Sequence, residues 1–170
     1  QQSWAQVGAP GSNQLFDDSM KNAQDHFVFV ENDGNTDAYV RTWIALEQGS
    51  MSDERFDEII GTNGNTGAWT WETYGSGIEI TTNNGTSKYT VIVITYKGPK
   101  GDGIVKANEV TRPNLLQIYI APEATNEDMV AIDGNANGKY DVLVKTQAIQ
   151  AKGFPDAATA LAEFGTEHPF

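Results

Sequence analysis

Cysteine is absent from the 170 residues, which removes thiolate nucleophiles, disulfide staples and cysteine metal sites together. Histidine is nearly as scarce. Only His26 and His168 are present, and neither belongs to an H-E-x-x-H helix; solvated or capping roles suit them better than a hydrolytic zinc centre. Positive charge is sparse too: 11 Lys and Arg stand against 23 Asp and Glu, a formal charge of −12. A nucleic-acid backbone or an anionic membrane surface is therefore repelled. The longest wholly aliphatic run, Val91-Ile92-Val93-Ile94, is far short of a membrane span. No charged-then-apolar leader opens the chain, which begins at Gln1; a processed mature N-terminus is one explanation and a recombinant one is another.

What is present builds a core. Apolar residues make up 39% and aromatics 10%, enough for one folded domain that buries roughly two-thirds of its unfolded surface. The acid surplus suits a soluble exported protein and offers oxygen ligands for hard cations. Apolar runs at 26–31, 37–47, 68–72, 77–82, 88–96, 115–121 and 140–150 are separated by Gly/Asn/Asp turns such as "NDGNTD", "TNNGTS" and "DGNANGK". That spacing predicts an all-β sandwich or jelly roll, not a βαβ fold.

Three short helices are expected at the ends of the sandwich. Ser50-x-x-Asp53 and Thr125-x-x-Asp128 read as capping boxes, and Pro155 starts a helix with Ala158, Leu161 and Phe164 on one side. One strand poses a question. In "AYVRTWIAL" the row Ala38, Val40, Thr42, Ile44, Leu46 is apolar, and so is most of the opposite row Tyr39, Arg41, Trp43, Ala45. An antiparallel strand with one wet face does not read that way. Helices or a foreign strand are the candidates for covering its second side.

No catalytic constellation emerges. Ser76 lies between glycines without a G-x-S-x-G frame, and the acids at 53, 54, 57 and 58 read as the wet face of a helix. Calcium is the one cofactor expectation. "DGNANGKYD" puts Asp133, Asn135 and Asn137 at alternate positions, Gly138 at the sixth and Asp141 at the ninth, as in the first half of an EF-hand-type loop. The twelfth position is Val144, so the bidentate glutamate is missing. Asp33, Asn35 and Asp37 form a shorter echo. An ordinary hairpin turn is the alternative for both. Trp69 and Trp71 share a strand face beside Tyr74 and suit either sugar stacking or the core. Asn84-Gly85-Thr86 fits the N-glycosylation pattern.

The order of segments resembles the TasA/camelysin-like exported proteins from about residue 24 to the C-terminus, most specifically in "DAYVRTW" and "QAIQAKGFPDAATAL". The resemblance implies a jelly-roll-like β-sandwich displayed outside the cell, in a family of matrix-fibre and pilus subunits whose N-terminal segment adds a strand to a neighbour. Camelysin's metallopeptidase name carries over to no residue here, since no H-E-x-x-H is present. The expectation is a non-enzymatic, head-to-tail homopolymer. Residues 1–11 form a donor arm, and residues 12–170 form one sandwich domain. In "QQSWAQVGAP" the row Ser3, Ala5, Val7, Ala9 could fill a narrow groove, Trp4 could anchor on a neighbour, and Pro10-Gly11 is the joint. The rival expectation is a secreted calcium-binding module that takes carbohydrate through Trp69 and Trp71.

Overall fold

The computed structural model describes residues 23–170, with side chains from residue 27 onward. The expected arm and its residues Ser3, Trp4, Ala5, Val7 and Ala9 lie outside the described residues, as does the side chain of His26. The strands are β1 (Ala23–Val28), β2 (Ala38–Glu47), β3 (Ile60–Gly64), β4 (Trp69–Thr82), β5 (Gly85–Tyr96), β6 (Ile104–Val105), β7 (Leu115–Ile120) and β8 (Val142–Gln150). The helices are α1 (Asp53–Ile59), α2 (Asn126–Ile132) and α3 (Ala157–Leu161). None of the described helices is long and apolar enough to cross a membrane.

Two antiparallel sheets form. One runs β1-β7-β3; the other runs β4-β5-β2, with β8 on the free side of β2 and β6 paired to its first two residues. They share one apolar core. Val40, Ile44 and Leu46 of β2, Ile94 of β5 and Trp69 of β4 meet Ile60 of β3, Leu115 and Ile118 of β7, and Phe56 and Ile59 of α1. The all-β, two-sheet expectation is met.

The cover over the second side of β2 is the chain's own C-terminal end. Ala160 and Leu161 of α3 pack on Tyr39. Phe164 lies over the Arg41 guanidinium at 5.8 Å, and Arg41 Nη2 donates to the Gly165 carbonyl at 3.0 Å. Further along, Tyr74 meets the Trp43 ring edge-on at 5.3 Å, His168 meets Tyr74 at 5.7 Å, and Phe170 packs beside the cluster of Trp43, Ala45, Tyr89 and Val91. β2 is thereby buried along its length, with Arg41 alone half-buried.

Several local expectations change. The two strands expected at 68–72 and 77–82 are one strand, β4, kinked by register shifts between Thr73 and Ile78, where Gly77 has φ +63°. The two one-residue shifts cancel in parity, so the strand keeps its facing throughout: Trp69 and Trp71 turn toward the shared core, while Tyr74, Ile78 and Ile80 turn to the other side. β3, "IGTNG", was not expected as a strand; a Cβ on Gly61 would stand 2.0 Å from the Tyr119 ring and one on Gly64 2.2 Å from Trp71, so aromatic rings lie where side chains normally would. Helix α1 is capped by Ser52, not Ser50, because Asp53 is drawn aside by Gln48 Nε2 at 2.7 Å and Ser76 Oγ at 2.7 Å. Pro155 precedes the α3 cap, which is Asp156; Ala160 and Leu161 are buried there, while Ala158 is exposed.

The Thr125 capping box forms as expected, and its Asp128 has a second use. Arg55 of α1 grips that carboxylate through both Nε (3.0 Å) and Nη2 (2.6 Å), tying α1 to α2. The Arg55 guanidinium, and then the Thr125 backbone N–H, hold Asp128 well below the usual carboxylate range. A carboxyl depressed in the folded state stabilises fully above its unfolded pKa of about 4, and that stabilisation is lost as pH falls through the lower folded value. Asp128→Asn is accordingly less stable than the parent at pH 7, with a gap that closes as the pH falls from 4 toward 2, measured by thermal midpoint. Trp43→Ala, which empties the space between β2 and the C-terminal cover, lowers urea-derived stability by about 3–5 kcal/mol.

Candidate functional site

Two regions carry features beyond packing: the 133–141 loop and the free edge of β8. The loop begins where α2 ends. Asp133 is the C-cap of α2, and its Oδ1 and Oδ2 accept from Asn137 N (3.0 Å) and Gly138 N (2.8 Å). Asn135 Nδ2 and Asn137 Nδ2 both donate to Asp141 Oδ2, at 2.8 and 3.0 Å. Four residues expected from their spacing to surround one point, Asp133, Asn135, Asn137 and Asp141, are thus gathered in one hydrogen-bonded knot. Ala136 sits in the left-handed region at φ +55° to make the turn.

Beneath the loop lies a residue that the sequence did not single out. Glu47, fully buried at the end of β2, accepts from Gly134 N through Oε1 and from Asp141 N through Oε2, each at 3.0 Å. One carboxylate thereby pins both ends of the loop. Around it stand buried hydroxyls of Ser87, Tyr89 and Tyr140, each without a hydrogen-bond partner among the described residues. Tyr89 faces Glu47 directly across the β2–β5 ladder. Burial, reinforced by the Glu47 and Asp141 charges, pushes its hydroxyl pKa up to about 12, and burial with Glu47 and Tyr89 pushes that of Tyr140 up as well.

The second loop is organised differently. Asn32 Oδ1 accepts from Gly34 N, and Asn32 Nδ2 reaches the carbonyls of Thr36, Val105 and Lys106. Asp37 turns to Lys106, Nζ to Oδ2 at 2.7 Å, and to Ala107 N at 3.2 Å, while Asp33 and Asn35 are exposed. Its organiser is Asn32, and its acid at 37 already has a cation.

The four edges of the two sheets differ in regularity. β1 and β3 are short with register shifts, and β4 is bulged. β8 pairs with β2 through nine consecutive partners, Val142 to Gln150 against Leu46 to Ala38, and no other described strand joins it. By that register Val144, Thr146 and Ala148 lie opposite Ile44, Thr42 and Val40, all buried in or beside the shared core, yet the three β8 residues are exposed. The β1-β7-β3 layer does not reach over them.

Two other expectations resolve into structure. Trp69 is 1% exposed, tilts against Tyr96, and donates its Nε1–H to the Arg112 carbonyl at 2.9 Å. Trp71 packs against the same core. The pair is therefore not an exposed sugar platform, because both rings lie on the β4 face that packs against the shared core. Among the described residues no group of three or more His, Cys, Asp or Glu could hold a metal; the 133–141 loop offers two carboxylates with two amides, a different oxygen set.

Comparison with protein-family models, curated proteins and solved structures gave no match. Function therefore rests on these geometries. Glu47→Gln leaves one acceptor and turns an amide N–H₂ against a backbone N–H, costing about 1–3 kcal/mol in denaturant unfolding and loosening residues 133–141 to amide exchange.

Proposed function

We propose that this protein is a non-enzymatic structural subunit of an extracellular filament or tube, assembled head to tail by strand addition between copies. In this reading the sandwich is jelly-roll-like and TasA-like, and residues 1–11 of one copy extend the β8 edge of the next. The observation that carries it is the nine-residue edge of β8, which no other described strand joins, with Val144, Thr146 and Ala148 exposed on its core-facing side. A regular, unbulged edge is a template for another strand, and natural monomers normally blunt such edges. The alternate row Ser3, Ala5, Val7, Ala9 offers small side chains to lie beside that exposed lane. An added strand whose donor and acceptor surfaces differ does not close on itself, so the product is an open polymer.

Magnitudes set a condition. Six hydrogen bonds at about 1 kcal/mol each, with roughly 4–6 kcal/mol from burying small side chains, face an association cost on the order of 4–15 kcal/mol. One arm is marginal alone, so other subunit contacts contribute. The charge of −12 per copy opposes them, and polymerisation is therefore favoured by salt.

The double variant Val144→Lys, Ala148→Lys places two charges in the lane at positions already exposed. It folds with unchanged circular dichroism and forms no filaments by negative-stain electron microscopy, as does a chain lacking residues 1–11. Filaments of normal length from either protein contradict the reading.

A further inference from the structure

We infer that Phe27, Phe29 and Val110 form a second contact between copies, docking on the neighbouring subunit next to its β8 edge. The inference rests on the polymer reading above and names a contact which that reading needs, since one arm is marginal alone. The patch follows from alternation. Val28 and Val30 pack against the shared core, so Phe27, Phe29 and Glu31 face the other way. Val110 stands opposite Glu31 in an isolated antiparallel bridge, which puts it on the same face. Phe27 is 49% exposed, Phe29 54% and Val110 55%. Seven large hydrophobic residues are exposed among the described residues, and three of them lie on this face. Each ring can bury roughly 150–250 Å², and about half of that lies open. Aromatic anchors inside a polar rim are the usual build of a protein contact. The rim is present: Glu31, Asp33, Glu109 and Arg112 are exposed, and none of them is in an ion pair among the described residues.

Chain connectivity selects the occupant. The proposed arm ends at residue 11 and β1 begins at Ala23, so residues 12–22, eleven in all, join them. Fully extended, they span at most about 36–40 Å. When an arm lies on a neighbour's β8, the donor's patch is therefore tethered within that reach of the same neighbour. A stable interface between free proteins buries about 800 Å² on each partner, more than these three side chains supply. A tether removes that requirement, because the second contact forms at an effective concentration in the millimolar range.

Charge selects the place. The exposed lysines Lys139, Lys145 and Lys152 lie on or beside β8, Val142–Gln150. Lys145 Nζ donates to the Pro169 carbonyl at 2.7 Å, while Lys139 and Lys152 are in no ion pair among the described residues. In a chain with 11 cations against 23 acids, most surface repels a second copy. The ends of β8 instead attract the acids Glu31, Asp33 and Glu109 that border the rings.

The test uses the full chain. Phe27→Ser with Phe29→Ser removes two exposed rings, so the thermal midpoint of the monomer stays as it was. The critical concentration for polymerisation, read by light scattering, rises at least about tenfold. Glu31→Lys with Glu109→Lys raises it too, and adding Lys139→Glu and Lys152→Glu to that chain brings it back toward the parent value. A labelled peptide of residues 1–11 separates this contact from the arm, because it binds the doubly Ser-substituted chain as tightly as the parent. A parent-like critical concentration without the rings, or no recovery on charge exchange, overturns the second contact. So does a marked loss of thermal stability in the ring variant, the result expected if residues 12–22 of the same chain cover the rings. A peptide that binds neither chain, with no polymer from the parent, overturns the polymer reading and this contact with it.

Discussion

The burial of β2 on both faces is the constraint from which the rest of the fold follows. A single strand carrying Val40, Ile44 and Leu46 on one side and Tyr39, Trp43 and Ala45 on the other cannot sit at the surface of a two-layer protein. It is flanked by β5 and β8, backed by the β1-β7-β3 sheet, and roofed by α3 and the residues through Phe170. Apolar burial on this scale is the main favourable term in folding, and here it spans two separate layers. Using the C-terminal end as the outer roof has a consequence for assembly. Over β2 the outer face of the sheet is covered from within one chain, which is why the proposed docking of another copy is assigned to the β8 edge.

Local features were legible where local physics decides them. The Thr125–Asp128 capping box was readable because both partners lie within one turn of helix. The same pattern at Ser50–Asp53 misled by two residues because distant Gln48 and Ser76 side chains recruited Asp53. Alternation identified β2 and β5 and put Trp69 and Trp71 on one face, but it could not join the two halves of β4 across its bulges or say which face packs on the other sheet. β3 was invisible to propensity because its two glycines make room for Tyr119 and Trp71. The roof over β2 was posed as a question by its own apolar rows, but the answer came from residues more than a hundred positions away.

The same division runs through the candidate sites. The spacing of Asp133, Asn135, Asn137 and Asp141 was visible in one short segment, and the fold gathers them. Glu47, which pins both ends of that loop, gave no signal, because an acid at the end of a strand is ordinary until the loop folds over it. Asp33, Asn35 and Asp37 show the opposite case: similar spacing, but Asn32 and Lys106 organise the loop without gathering the three. The two regions also meet mechanically. Asp141 immediately precedes β8, so whatever holds the loop sets where the free edge begins.

The claim that a neighbouring copy completes the β8 edge is tested most directly by amide hydrogen exchange of residues 142–150 in monomeric and assembled protein. On assembly, amides of β8 that face away from β2 gain strong protection while exposed amides of the bulged β4 edge keep their monomer rates. Equal exchange of the β8 amides in both states would contradict the account.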